Sequence, residues 1–243
     1  RILEMGMASA ADQIAANINL GVFSKATELK RRIWYTLGML IVYRMGTFIT
    51  LPMIDPVAMA DLIRQQSKGV LGLFDVFSGG ALSRMSIFAL NIMPYISAAI
   101  IIQLLGAVNP AMEQMKKEGG SGRIRMNQYT RYLTVVLALI QAAIIAGSLQ
   151  SSDQGFVRNP GIGFTLLTMI TLTTGTAFIM WLGEQITDRG IGNGISLIIF
   201  SGIAAGIPVS AKQTFQMVKD GQLTPIALVL ILALMIVVIG VII

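Results

Sequence analysis

The chain has 243 residues, of which 54% are hydrophobic and only 12% are charged, about half the charged fraction of a typical soluble domain. It contains no cysteine and no histidine, which excludes disulfides, thiol nucleophiles, histidine-based triads and the usual zinc and haem ligands. The net charge of +6 favours cationic loops on the cytoplasmic side of a membrane over nucleic-acid binding. Composition therefore predicts an all-α polytopic membrane protein.

Six apolar segments are long enough to cross a bilayer, which takes about 20 helical residues. In chain order, these predicted spans cover residues 33–50, 87–108, 132–149, 162–183, 191–207 and 223–243. The second and fourth spans lie in charge-free runs. The first contains Arg44, which lies two turns from the far end of the span and which we expect to extend to the membrane interface.

The regions around the spans divide the chain further. Residues 1–32 are predicted to be a cytoplasmic segment, helical and mildly amphipathic over 8–29, and residues 208–222 are predicted to be an external loop. The chain begins at Arg1 and ends inside the apolar run of the sixth span, which predicts a piece of a longer protein.

Basic residues indicate the orientation of the spans. Lysines and arginines cluster before the first span and again between the second and third, whereas acidic residues dilute them on the opposite side. The predicted loop between the second and third spans, here called the basic segment, contains Lys116, Lys117, Arg123, Arg125 and Arg131. Because positive charge is retained in the cytoplasm, the amino terminus and the basic segment are predicted to be cytoplasmic.

A short segment between the first two spans, residues 69–84, is too rich in glycine to span and too apolar for an ordinary solvated loop. Non-helical backbone at membrane depth must be buried in protein or line a cavity, so one interpretation is a re-entrant element. An interfacial amphipathic turn is an equally good interpretation. Gly79 and Gly80 supply the hinge that either needs.

Catalytic and transport chemistry leaves few signs in the sequence. The acidic residues fall in loops or at span ends, whereas ion-coupled carriers place ionisable groups near the midplane. Residues 190–194, Gly-Ile-Gly-Asn-Gly, do not follow a strand and are predicted to form a tight turn with Asn193 or Gly194 as the helix N-cap. Gly202 and Gly206 form a GxxxG pair, predicted to serve close helix packing. These features favour a passive conduit over a chemical pump.

Three stretches resemble the SecY/Sec61-alpha translocon family. They are Phe77-Ser-Gly-Gly-Ala-Leu-Ser-Arg84 with the second span up to Leu105, then Met115-Lys-Lys-Glu-Gly-Gly-Ser-Gly-Arg123 with Asn127-Gln-Tyr-Thr-Arg-Tyr132, and residues 180–200 joining the fourth and fifth spans. The resemblance runs from about Leu29 to Pro208. It implies a SecY-like helix bundle, in which ten helices form an hourglass. Six of the ten helices would be present here. Residues 33–207 would form the first half of the channel, and residues 223–243 would be the truncated start of the second half.

The resemblance also implies the functional positions. A ring of isoleucines would form half of the pore constriction: Ile92, Ile96, Ile199 and Ile203. A plug of about residues 71–84 would seal the pore from outside, and it includes Leu71, Leu73, Phe74, Val76, Phe77, Gly79, Gly80, Leu82 and Arg84. A lateral gate toward lipid would include Ser97, Ile100, Ile101 and Gln103. A narrow apolar collar of this kind dewets and resists ions.

As a family member, the chain would be a channel subunit and not an enzyme, with no cofactor. It would pass unfolded secretory polypeptides across the bacterial inner membrane and release membrane segments sideways into lipid. The implied partners are SecE and SecG-like membrane subunits, the SecA ATPase or a ribosome, signal sequences and nascent polypeptides, with the basic segment as a candidate contact for ribosomal RNA. A small-solute or ion transporter and a non-pore insertase scaffold remain alternatives.

Two departures from the family pattern stand out. Residues 50–55 read Thr-Leu-Pro-Met-Ile-Asp where the family usually has Pro-Ile-Pro-Gly-Ile-Asp, which we interpret as loop variation. Asn91 replaces the usual glycine one residue before the implied pore position. It puts a polar group near the constriction, so the resemblance alone does not fix the tightness of the seal.

Overall fold

The computed structural model describes residues 27–55, 75–151, 157–221 and 224–242. In these ranges the chain forms seven helices of at least eight residues, in the order α1 (Thr27–Gly46), α2 (Met93–Val108), α3 (Pro110–Lys117), α4 (Gly120–Gln150), α5 (Ile162–Arg189), α6 (Gly194–Lys219) and α7 (Pro225–Ile242). Two isolated antiparallel bridges, between Thr50 and Ser86 and between Ile54 and Val157, join the non-helical segments. The predicted all-α architecture is confirmed.

Three of the described helices, α4, α5 and α6, are long and apolar enough to cross a membrane. A fourth candidate is the pair α2 and α3, which is bent by 100° at Asn109. The bend occurs where Asn109 adopts an extended conformation and caps α3, with Pro110 at the first helical position. Helix α1 is a poorer candidate for a membrane span, because basic residues lie near its start. Helix α7 is apolar but shorter than the three helices that qualify.

Several predicted helix boundaries are wrong: α1 ends at Gly46 and not at residue 50, and α4 begins at Gly120 and not at residue 132. The second span begins at Met93 and not at residue 87, because residues 87–92 form turns in which Asn91 has a φ of 50°. The fifth span continues through Pro208 to Lys219, so most of the predicted external loop 208–222 is helical. Proline removes one backbone donor, and here the helix continues on both sides of it.

Helix α5 is the centre of the bundle and contacts α1, α2, α4 and α6. Its partner α4 presents a stripe of small residues at spacing i, i+4, all buried: Thr130, Thr134, Ala138, Ala142 and Ala146. Residues spaced by four share one helix face, and small side chains let helix backbones approach closely. This stripe explains why α4 packs along both α5 and α2.

The apolar core is divided into two clusters along α5. The first, the Leu172 cluster, joins Phe164 and Leu172 to the alanines of α4 and to Leu51 and Met85. The second, the Ile179 cluster, contains Tyr43, Phe88, Ile92, Ile179, Leu182, Ile186 and Ile198. Helix α7, in contrast, is exposed from residue 229 to residue 242. The turns before α2 lie where the two clusters meet, because Met85 belongs to the Leu172 cluster and Phe88 belongs to the Ile179 cluster.

Candidate functional site

The described part of the predicted plug, residues 75–84, is a compact non-spanning element. Residues 75–78 form one helical turn, after which Gly79 and Gly80 take φ values of 64° and 81°, the left-handed region that favours glycine. The Asp75 carboxylate closes the element by accepting a hydrogen bond of 2.8 Å from the Ser83 backbone N–H. These are conformations that the predicted glycine hinge requires, and its motion stays a prediction. Leu71, Leu73 and Phe74 lie outside the described residues.

Helix α1 holds this element through an arginine. Arg44 Nη1 donates a hydrogen bond of 2.7 Å to the Gly79 carbonyl, and its extension to the membrane interface stays a prediction. The guanidinium carbons of Arg44 and Arg84 also lie 5.2 and 4.4 Å from the centroid of the Phe48 ring, which is cation–π range. Burial, and then the charge of Arg44, lowers the pKa of Arg84, while Asp75 raises it.

A second hold on the plug comes from the turn that precedes α2. The Asn91 side-chain amide donates a hydrogen bond of 2.9 Å to the Phe77 carbonyl, and its oxygen lies 3.5 Å from the Tyr43 hydroxyl. Asn91 is 4% exposed. Its polar group is therefore engaged by the plug and by α1.

Helix α6 provides the surface against which the plug backbone lies. A Cβ on Gly202 would be 2.6 Å from the Phe77 carbonyl oxygen, and a Cβ on Gly79 would be 3.0 Å from the Cα of Gly202. A Cβ on Gly206 would meet nothing within 4 Å among the described residues. The predicted role of this glycine pair in helix–helix packing is wrong, because Gly202 instead makes room for the plug.

The structure brings three of the four predicted ring isoleucines together. Ile92 belongs to the Ile179 cluster and is 2% exposed, and Ile96 and Ile199 pack against that cluster half-buried. Ile92 is the N-cap of α2 and not a residue of its first turn, although its carbonyl accepts the first helical hydrogen bond, from Ile96. Ile203 is also half-buried but outside the cluster. The role of these residues as a pore ring stays a prediction.

The residues of the predicted lateral gate lie outside the buried stripe of α2. That stripe consists of Pro94, Ala98, Ile102 and Gly106. Ser97 is half-buried, whereas Ile100, Ile101 and Gln103 are exposed. Because successive helix positions turn by about 100°, Ile101 and Gln103 lie on opposite sides of the stripe, and Gln103 faces the start of α4. The role of these residues as a gate stays a prediction.

The basic segment is helical over most of its length, and so the prediction of a loop is wrong. Lys117 ends α3 and pairs with Glu113 at 2.7 Å, and Arg125 is in the first turns of α4. Arg131 makes two hydrogen bonds of 2.7 Å with Glu184 of α5, a bidentate pairing. This ion pair joins two helices, so Arg131 is not a free cation.

Two basic side chains of this segment line a cavity of about 540 Å³ between α2 and the start of α4. Lys116 and Arg123 lie on its wall with Tyr95, Gln103 and Asn127. One wall therefore belongs to the predicted lateral gate and the other to the basic segment. No group of three acidic, histidine or cysteine side chains suited to a metal ion occurs among the described residues.

The junction between α5 and α6 is the tight turn that the sequence predicts. Asn193 is the N-cap of α6, and its side-chain oxygen accepts hydrogen bonds from the backbone N–H groups of Ile195 and Ser196, at 3.0 and 3.3 Å. The hydroxyl of Thr36 on α1 accepts a hydrogen bond of 3.1 Å from the Ile191 N–H. This turn therefore anchors α1, α5 and α6 to one another.

Comparison with known proteins gives a consistent result. A family model described as SecY matches residues 86–243. The chain is 52% identical over 207 residues to protein translocase subunit SecY of Haemophilus influenzae and 53% identical over 209 residues to that of Escherichia coli K12, in each case across 85% of this chain and 47% of the relative. The chain thus spans about half the length of these curated relatives.

Solved channel structures share the fold. One described as a protein-conducting channel aligns with a TM-score of 0.62 at 20% identity, across 86% of this chain and 47% of that chain. Sec61 in a canine ribosome–channel complex from the endoplasmic reticulum aligns with the same values. Because the family model covers most of the sequence and the bundle has the channel fold, the chain belongs to the SecY family.

Proposed function

We propose that this chain forms the first half of a protein-conducting channel in the bacterial inner membrane, which passes unfolded secretory polypeptides and releases apolar segments sideways into lipid. One observation carries the proposal. The short element of residues 75–84 is held by α1, by the turn before α2 and by α6, beside the cluster that contains Ile92. A removable element next to an apolar constriction is what a sealed polypeptide channel requires.

The chemistry of the constriction suits this role. An apolar collar is poorly wetted and resists ions, and a passing extended chain displaces it. Ile96, Ile199 and Ile203 retain exposed surface in this half, so they are the side chains available to meet a second half. Ile92 is covered by its neighbours and belongs to the cluster on which Ile96 and Ile199 pack. The conduit itself needs no catalytic group.

The exposed face of α2 supports sideways release. Ile100 and Ile101 are 52% and 38% exposed and would border the opening toward lipid. An apolar segment gains about 0.8 kcal/mol for each CH₂ that it buries in lipid. A signal sequence of ordinary length therefore gains enough free energy to leave through this face.

The partners follow from the same proposal. SecE and SecG-like subunits would surround the bundle, and the SecA ATPase or a ribosome would bind on the cytoplasmic side. Basic residues flank α1 and continue through the basic segment, which supports a cytoplasmic amino terminus and multiple passes through the inner membrane. Lys116 and Arg123, beside the cavity, are the candidate contacts for acidic surfaces or ribosomal RNA.

The test is ion conductance of the complete channel in planar bilayers. Replacement of Ile96, Ile199 and Ile203 together by serine is expected to raise the resting leak, because hydroxyl groups wet the constriction. Leucine at the same three positions is the matched control and should retain the seal. An unchanged conductance in the serine variant would overturn the proposed ring.

A further inference from the structure

Asn91 occupies an unusual place in the fold. It lies in the turn just before α2, its φ is 50°, and only 4% of its surface is exposed. Asparagine is among the few residues with a side chain that accept this left-handed conformation readily. The conformation directs a buried amide from the start of α2 toward the plug.

Both ends of this amide have partners on other elements. The N–H₂ group donates to the Phe77 carbonyl at 2.9 Å, and the oxygen lies 3.5 Å from the hydroxyl of Tyr43, a side chain that is 0% exposed. Tyr43 is itself fixed by stacking on Phe88, with ring centroids 6.0 Å apart. The hydroxyl therefore orients the amide so that its donor faces the plug.

The side chains of the plug bury little at this point. Val76 is 54% exposed and Phe77 is 44% exposed, so apolar burial holds this turn only weakly. The Phe77 carbonyl, in contrast, lies against Gly202 of α6 and would lose its Asn91 donor on leaving. In a low-dielectric surrounding, an unpaired carbonyl is costly.

We propose that Asn91 is a latch that holds the plug in its seat through the Phe77 carbonyl, with Tyr43 as the residue that positions it. The inference rests on the proposed function, in which residues 75–84 move when the channel opens. A glycine at this position would keep the backbone conformation and leave the carbonyl without a donor. The identity of residue 91 therefore sets how readily the plug leaves.

This chain contains no cysteine, so a single cysteine introduced into it allows a direct test once any cysteine elsewhere in the complete protein has been replaced. Ser78 is 2% exposed and lies in the plug, so in an S78C background the rate of thiol modification by a small maleimide reports how often the plug opens. The measurement is made on the complete protein in membranes. In the S78C background, Asn91→Gly is expected to raise this rate roughly 2- to 12-fold, the factor that corresponds to loss of one hydrogen bond of about 0.5–1.5 kcal/mol.

Two further variants separate the hydrogen bond from backbone effects. Asn91→Asp keeps the shape and tolerates the same φ but replaces the donor by an oxygen, and it should accelerate modification at least as much as Asn91→Gly. Asn109→Gly is the matched control, because Asn109 caps α3, and it should leave the rate within about 1.5-fold. Tyr43→Phe should give a smaller increase than either change at Asn91.

An unchanged modification rate in both Asn91→Gly and Asn91→Asp would overturn the latch. Acceleration in Asn91→Gly alone would also overturn it, because the effect would then come from the backbone freedom of glycine and not from the lost hydrogen bond. The outcome is independent of transport. If the complete protein conducts no polypeptide but Asn91 still controls exposure of residue 78, the proposed function fails and the latch stands. If transport occurs but exposure is insensitive to Asn91, only the latch fails.

Discussion

The contact between Gly202 and the plug allows a sharp perturbation. In Gly202→Ala, the new methyl group would be 2.6 Å from the Phe77 carbonyl oxygen, which is closer than any ordinary contact, and the atom it meets is backbone. Relief therefore requires the plug to move. Overpacking of this kind costs about 1–3 kcal/mol, against a gain of about 1 kcal/mol in helix propensity.

Gly206→Ala provides the control on the same helix. A Cβ at Gly206 meets nothing within 4 Å among the described residues, so this variant should show the propensity gain alone. We expect the two alanine variants of the complete protein to differ by about 1–3 kcal/mol in unfolding free energy, with G202A the less stable, and G202A alone to raise resting ion conductance in planar bilayers. Equal stability and equal conductance of the two variants would refute the placement of the plug on α6.

Three other predictions concern the cytoplasmic side as proposed. Arg131→Gln should lower stability by about 0.5 kcal/mol, because the pair with Glu184 is partly exposed; the effect should shrink in high salt in denaturant titrations, and the swap R131E/E184R should recover it. Asn193→Ala should cost about 1 kcal/mol in thermal unfolding through loss of the N-cap, whereas Asn193→Asp should cost little. Replacement of Lys116 and Arg123 by glutamine should weaken ribosome or SecA binding in a salt-dependent manner; equal affinity at low salt would limit these residues to a topological role.

Hydropathy predicted the helices that matter most for the bundle. Helices α4 and α5 each extend a predicted span, since charge-free runs of this length have few other solutions in a bilayer. The start of α2 was not predictable in the same way. Residues 87–92 are as apolar as the helix that follows, and apolarity reports residence in the membrane, not backbone conformation. The left-handed φ of Asn91 prevents the helix from starting before this residue, although the composition does not change there.

The site was predictable only in part. The motif resemblance directed attention to residues 75–84 and to the isoleucines, three of which the structure brings together. The contacts that hold the plug join residues far apart in sequence, such as Arg44 and Gly79, and single-sequence periodicity carries no information on such pairs. Two signals were nevertheless present: an arginine inside an apolar span, which marks a functional position by default, and an asparagine beside the constriction.

The way the plug is held bears on how a channel of this kind opens. Two carbonyls, of Phe77 and Gly79, are bound by Asn91 and Arg44, and hydrogen bonds of these neutral and charged types contribute about 1 and about 2 kcal/mol. Together these two bonds contribute about 3 kcal/mol, which alone favours the seated plug by a factor of more than about 100. An arriving apolar segment gains about 0.8 kcal/mol for each CH₂ that it buries, so about four such groups offset these two bonds. On the proposed function, polar contacts of this strength keep the plug closed at rest and still allow a signal sequence to displace it. Full burial of Val76 and Phe77 would stabilise the seated plug further, by about 1.5–3 kcal/mol for each side chain. A signal sequence would then displace the plug much less readily.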